Sequence, residues 1–227
     1  MGSEMCIRDR TKIDILVTPL VTIGVGTGVA ALIAPALGKA AMKIGELIML
    51  ATNLQPFLMG IAVSVLVGIA LTLPISSAAI CAAFGLTGLA GGAAVAGCCA
   101  QMVGFAVMSF KENRWGGLVS QGIGTSMLQM GNIIKNPRIW IAPIVTSAIT
   151  GPMATCLFKL QMNGTPVSSG MGTCGFVGQI GVYSGWVADI ANGTKTAITG
   201  FDWAGLILIS FILPVSYTHL RAHETVL

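Results

Sequence analysis

Apolar stretches long enough to cross a bilayer recur along almost the whole of this chain. Residues 13–36 and 56–73 form two such runs, and a small-residue run extends over 78–110. Another covers 140–158, and a last one begins near Trp203. A helix needs about 20 mostly apolar residues to cross the hydrocarbon core. Charge is correspondingly scarce. Hydrophobic residues make up 54% of the sequence and charged residues 9%, and mean hydropathy is +0.86. A soluble domain of this size carries roughly a quarter charged residues to cover its surface. The expected fold is therefore all-α: a polytopic transmembrane helical protein. Its many glycines suit close helix contacts in lipid.

The two ends read differently, being polar, charged and aperiodic. With codons TGT-ATA-AGA-GAC for Cys6-Ile7-Arg8-Asp9, the reverse complement encodes Val-Ser-Tyr-Thr, the string at Val215-Ser216-Tyr217-Thr218. GGC-TCG-GAG-ATG for Gly2-Ser3-Glu4-Met5 likewise gives His219-Leu220-Arg221-Ala222. The ends thus match complementary strands of one transposon-type sequencing adaptor. Residues 1–10 and 215–227 are expected to be adaptor-derived, and 11–214 to be a partial transmembrane domain that continues naturally at both ends. Both histidines, His219 and His223, and Cys6 fall in the excluded flanks.

Between the spans, residues 37–55 place Lys39, Lys43 and Glu46 on one helical face, which suggests an amphipathic helix lying in the interface. Lys111-Glu112-Asn113-Arg114 closes the 78–110 run, and Trp115 fits an interfacial anchor. Residues 118–134 are apolar but carry Gln121, Gln129 and Asn132, as a short half-buried helix would. The positive-inside rule puts Lys39/Lys43, Lys111/Arg114 and Lys135/Arg138 on the cytoplasmic side. Segment 115–134 then stays on that side without crossing.

An internal echo carries the most information. Pro74-Ile75-Ser76-Ser77 is followed by Phe84, ten residues after the proline, with Cys81 between. Pro166-Val167-Ser168-Ser169 is followed by Phe176 at the same spacing, with Cys174 between. Transporters built from repeats interrupt hydrophobic segments in both halves, and the broken segments frame the substrate site. Broken or re-entrant helices and an internal repeat are therefore part of the expected fold. Proline opens a helix, and the serine hydroxyls of Ser76, Ser77, Ser168 and Ser169 either cap it or meet a ligand. The plainer alternative is a common helix start that occurs twice by chance.

The segment 161–179 adds Gln161, Asn163 and Gln179 among further hydroxyls. Irregular polar backbone at membrane depth persists only when buried in protein or lining a cavity. Neutral amides and hydroxyls suit a sugar; an ordinary extramembrane loop is the competing reading. Gln121, Gln129 and Asn132 either add amides or are solvated. Glu112, between Lys111 and Arg114, reads as a solvated interfacial charge. Cys98-Cys99 lack metal-ligand spacing, so no metal site is expected. Gly24, Gly26 and Gly28 lie inside a span and do not form a nucleotide loop. No cofactor, no catalytic residue and no nucleic-acid partner is expected.

Three stretches carry a family resemblance. They are Leu54-Gln55-Pro56-Phe57-Leu58-Met59 running on to Leu73-Pro74-Ile75-Ser76-Ser77, then residues 85–97, then Asn163-Gly164-Thr165-Pro166-Val167-Ser168-Ser169-Gly170. The sequence resembles the membrane-spanning enzyme IIC component of the bacterial phosphotransferase system, in the branch that also contains perfringolysin-regulator-like proteins. The resemblance implies a multi-pass sugar permease of the bacterial inner membrane that works with cytoplasmic IIA and IIB partners. The IIB protein phosphorylates the sugar as it is released. A homodimer is a further expectation. Better-known enzyme IIC groups use a Glu and a His near the sugar. Here Ala148-Ile149-Thr150-Gly151-Pro152 is the nearest string to their Gly-Ile-Thr-Glu, so no catalytic residue carries over. The residues expected to bind substrate are Ser76, Ser77, Gln161, Asn163, Ser168, Ser169 and Gln179. A membrane sensor on the same scaffold, or a transporter of another solute, is the alternative.

Overall fold

The computed structural model describes residues 14–52 and 54–225; the flank 1–10 lies outside them. The described chain is helical, and its only strand-like feature is an isolated bridge in which Gly88 and Met162 exchange backbone hydrogen bonds of 3.0 Å. Contacts divide it into two units, Met1–Met42 and Lys43–Leu227. Helix α1 (Asp14–Thr52) is continuous in secondary structure. The expected separation into a span and a distinct interfacial helix at residue 37 does not occur: the helix runs on through Pro35, despite the one ladder bond that proline cannot donate, and through Gly38.

Within the second unit, α2 (Pro56–Thr72) begins at a proline in its first turn, where the missing N–H leaves no unmet bond. The expected run 78–110 is split. A short helix α3 (Ser77–Ala83) is followed by a turn in which Gly85 (φ 61°) and Gly88 (φ 63°) adopt the left-handed region open to glycine. The long helix α4 (Gly88–Val119) then starts. Arg114, at φ 50° and ψ −141°, breaks α4 near its end, where the Lys-Glu-Asn-Arg string was expected to close the span. A π-turn (Ser120–Gly124), a 3-10 turn (Ser126–Gln129) and α5 (Met130–Lys135) complete an elbow.

Asn136 then caps the next turn by accepting from the Arg138 N–H at 3.2 Å. Helix α6 (Ile141–Pro152) continues as a π-turn to Leu157. After an irregular stretch come α7 (Pro166–Ser169) and α8 (Val177–Ala191). Helix α9 (Gly200–Ile207) starts with a capping box between Thr199 and Asp202 and runs through a π-turn into α10 (Leu213–Thr225). The helix thus passes Pro214 into the flank 215–227, and Thr218 is buried there.

Among the described residues, three helical stretches are long and apolar enough to cross a membrane: Gly88–Gly124, Pro137–Leu157 and Gly200–His219. Val21–Ala36 and Pro56–Thr72 are shorter apolar helices. Of the three, the first is central, since 83% of its most apolar window is buried inside the protein, against 28% for the last. Lipid tails are as apolar as leucine, so helices in a bilayer associate by close packing and hydrogen bonds rather than by escape from water. The sequence supplies that closeness. A Cβ at Gly97 would collide with the Ser64 carbonyl of α2, and one at Gly151 with the Gly60 carbonyl. Ser64 Oγ also donates to the Ser147 carbonyl of α6 at 2.8 Å, tying α2 to α6 across the unit. An interhelical bond of this kind contributes about 0.6 kcal/mol. Gly97→Val is expected to push α2 off α4 and destabilise the protein by at least about 1–3 kcal/mol, read as a lower melting temperature in nanodiscs.

Candidate functional site

The structure brings the two Pro-x-Ser-Ser breaks together. Ser77 is buried, and its hydroxyl donates to the Gly170 carbonyl at 2.7 Å. A Cβ on Gly170 would come within 2.7 Å of the Ser77 carbonyl, so only glycine permits this approach. Ser76 is exposed and caps α3, accepting from the Ala79 N–H at 3.2 Å. In the second break Ser168 Oγ lies 2.8 Å from Thr165 Oγ1, and Ser169 Oγ donates to the Pro166 carbonyl at 2.6 Å. The serine hydroxyls are thus engaged within the protein. The second break packs against the middle of α4, where the Cys98 thiol points at the Ser169 carbonyl (3.9 Å) and a Cβ on Gly172 would meet Cys98. The echoed Cys81 and Cys174 both lie close to Cys98.

Gln161 and Asn163 go elsewhere. They line an open groove of about 500 Å³ beside the N-terminal end of α4, where Gly88 pairs with Met162. That volume lies in the range of small-molecule sites. Asn163 Nδ2 donates to Asp189 Oδ2 at 2.8 Å and to Gln161 Oε1 at 3.4 Å. Across the groove Lys195 Nζ pairs with Asp202 Oδ1 at 2.7 Å and sits 5.1 Å from the centre of the Trp186 ring. Asp202 is fixed in turn by Thr199, whose N–H and hydroxyl donate to it at 2.8 and 2.7 Å. Phe158 and Phe201, whose rings lie 5.3 Å apart and tilted by 32°, form the apolar wall, with Trp186 buried behind it. Amides, carboxylates and aromatic faces in one groove are a set that grips a polyhydroxyl ring. Its donors meet oxygen acceptors, and its C–H faces meet the rings.

Gln179 belongs to neither group. It faces α4 and the last span, donating to Cys99 Sγ (3.3 Å) and Ser210 Oγ (3.1 Å), while its Oε1 has no partner.

Sequence reasoning missed Gln101. It lies midway along the Gly88–Asn113 stretch of α4, wholly buried. Its Oε1 accepts from Trp140 Nε1 at 3.1 Å and Thr72 Oγ1 at 3.4 Å, and its Nε2 reaches Ser147 Oγ at 3.5 Å. A lone amide amid small apolar residues was the available signal, since polar groups inside a membrane are rare and functional by default.

A second cavity, of about 410 Å³, opens at the far end of α4 and is lined by Asn113, Ser120, Gln121, Gln129 and Asn132 together with small and apolar residues. Its π-turn is tethered to the second break, because Thr173 Oγ1 donates to the Gly122 carbonyl at 2.5 Å.

These features define an all-α membrane protein whose apolar helices are interrupted by polar breaks, with cavities at both ends of its central helix. Comparison with protein families gives a match to Phosphotransferase system, EIIC, over residues 3–223, and the chain belongs to that family. It is a membrane component of a sugar-transporting phosphotransferase system and works with that system's cytoplasmic components. No curated protein and no solved structure matches the chain.

The groove also holds a backbone outlier. Lys159 adopts φ 46°, a left-handed conformation that disfavours a side chain by about 1 kcal/mol. Lys159→Gly is expected to relieve this strain and raise the melting temperature by about 2–4 °C, measurable by thermal unfolding in detergent.

Proposed function

We propose that this chain is the sugar-translocating enzyme IIC, which binds its sugar in the groove beside Gln161 and Asn163 and delivers it for phosphorylation by a IIB partner. The observation that carries this reading is the groove itself. In a chain of this family, it combines two amides, two carboxylates and an aromatic wall around about 500 Å³. Of the residues expected to bind, Gln161 and Asn163 would meet the sugar directly. The breaks with Ser76, Ser77, Ser168 and Ser169, and α8 with Gln179, would shape the path and shift as access alternates.

The charge pattern supports an orientation in the bacterial inner membrane. Lys111, Arg114, Lys135 and Arg138 cluster in sequence around the elbow after α4, which favours a cytoplasmic elbow and an external groove. The groove's own lysines are offset by Asp189 and Asp202. A homodimer is part of the same reading. We also take residues 1–10 and 215–227 to be adaptor-derived, as the complementary codons argue; amplification and sequencing of the chromosomal locus tests this.

Function is tested by uptake of labelled sugars into cells expressing the intact gene, with and without phosphoenolpyruvate. Accumulation of sugar phosphate that requires phosphoenolpyruvate is expected. Asn163→Leu and Phe201→Ala are each expected to weaken sugar binding about tenfold or more, the equivalent of roughly 1.4 kcal/mol. Absence of uptake for every sugar, together with an altered transcriptional response on deletion, would instead identify a membrane sensor.

A further inference from the structure

The cavity at the far end of α4 has an uncharged polar wall. Asn113, Ser120, Gln121, Gln129 and Asn132 supply amides and a hydroxyl, and none of its lining residues carries a charge. Gln121 is only 4% exposed, and its Oε1 is buried with no hydrogen-bond donor in reach. An acceptor left in that state is unfavourable unless something supplies the donor. The backbone that holds it there is a π-turn, Ser120–Gly124, a rare geometry that recurs at functional sites. Gln129 is 8% exposed, and its Oε1 is already taken by Asn132 Nδ2 at 2.8 Å. The unmet demand therefore falls on Gln121, and it calls for a donor.

The cavity's position adds a second argument. The groove adjoins Gly88 and this cavity adjoins Asn113, the two ends of one helical stretch. At 1.5 Å per residue that stretch spans roughly 38 Å, enough to cross a hydrocarbon core of about 30 Å. Gln101 and its hydrogen-bonded partners lie midway between. Thr173, which follows the second break, holds the Gly122 carbonyl of the cavity's π-turn.

We propose that the Gln121 cavity is a second binding station for an uncharged, hydroxyl-rich ligand, on the opposite membrane face from the groove. It rests on the reading of the groove as a sugar site and adds a second place where the same ligand chemistry is met. Ligand hydroxyls donate to Asn113 Oδ1 and, with the Gln121 amide turned toward the cavity, to Gln121 Oε1. The amide N–H groups of Asn113 and Gln121 donate back.

The test is equilibrium dialysis of the protein in nanodiscs against labelled glucose, mannitol and glucose 6-phosphate, counting equivalents bound at saturation. Two equivalents of a neutral sugar are expected. Gln121→Leu should remove one and leave the other's Kd unchanged, and Asn163→Leu should remove the other. Gln121→Leu deletes an unsatisfied acceptor, so folding is not expected to suffer; Asn113→Ala, at the exposed lip, should weaken the second equivalent roughly tenfold. One equivalent, lost in Asn163→Leu and indifferent to Gln121→Leu, overturns the second station and leaves the groove standing. Binding of glucose 6-phosphate alone at the Gln121 cavity overturns the uncharged class. No neutral sugar bound at all overturns both readings.

Discussion

Everything in the second unit hangs on how closely other backbones approach α4. Gly97 lets α2 lie against it at the Ser64 carbonyl, and a Cβ at Gly92 would collide with the Leu160 carbonyl. Gly172 reaches α4 beside Cys98 in the same way. In a bilayer there is no water to drive helices together, so contacts of this kind and the hydrogen bonds that closeness permits are the main source of tertiary order. The small-residue composition of α4 is therefore what allows the second break and the neighbouring helices to share one surface. Larger residues there would leave the second break without a support, and its backbone groups without partners at membrane depth.

The breaks carry a tension between structure and chemistry. Hydroxyl groups near a transport path are natural ligands for a sugar, yet Ser77, Ser168 and Ser169 are committed to protein partners. A short helix, opened by Pro166 in the second break and capped by Ser76 in the first, leaves backbone carbonyls and N–H groups without ladder partners. Serines in the first turn are the nearest groups able to satisfy them. The hydroxyls hold the breaks in shape.

The membrane class and several of the apolar helices were legible because each rests on a local signal. Pro56 opens α2 as proline at a first turn should, and the charged string near Arg114 ends the long span. The pairing of the two breaks was legible only as an echo, since nothing local in Pro74 or Pro166 specifies which surfaces meet. The split of 78–110 was missed because Gly85 and Gly88 look like any other small residues until their positive φ is known. The unbroken α1 was missed for the opposite reason: a change in amphipathicity suggested a boundary where the backbone has none. The groove mixes residues from 158 to 202, a span no motif joins. Gln101 stood in plain view, but its partners Thr72, Trp140 and Ser147 come from three other elements.

The bond from Thr173 to the Gly122 carbonyl ties the elbow to the segment that leaves the second break. Mechanically, it makes the two a linkage with few independent degrees of freedom. A shift of the break that leaves this bond intact must carry the π-turn with it, and a shift that breaks it leaves the Gly122 carbonyl without this donor. The cavity at one end of α4 and the break at its middle are thus coupled as parts of one lever, with the helix as its fixed rail.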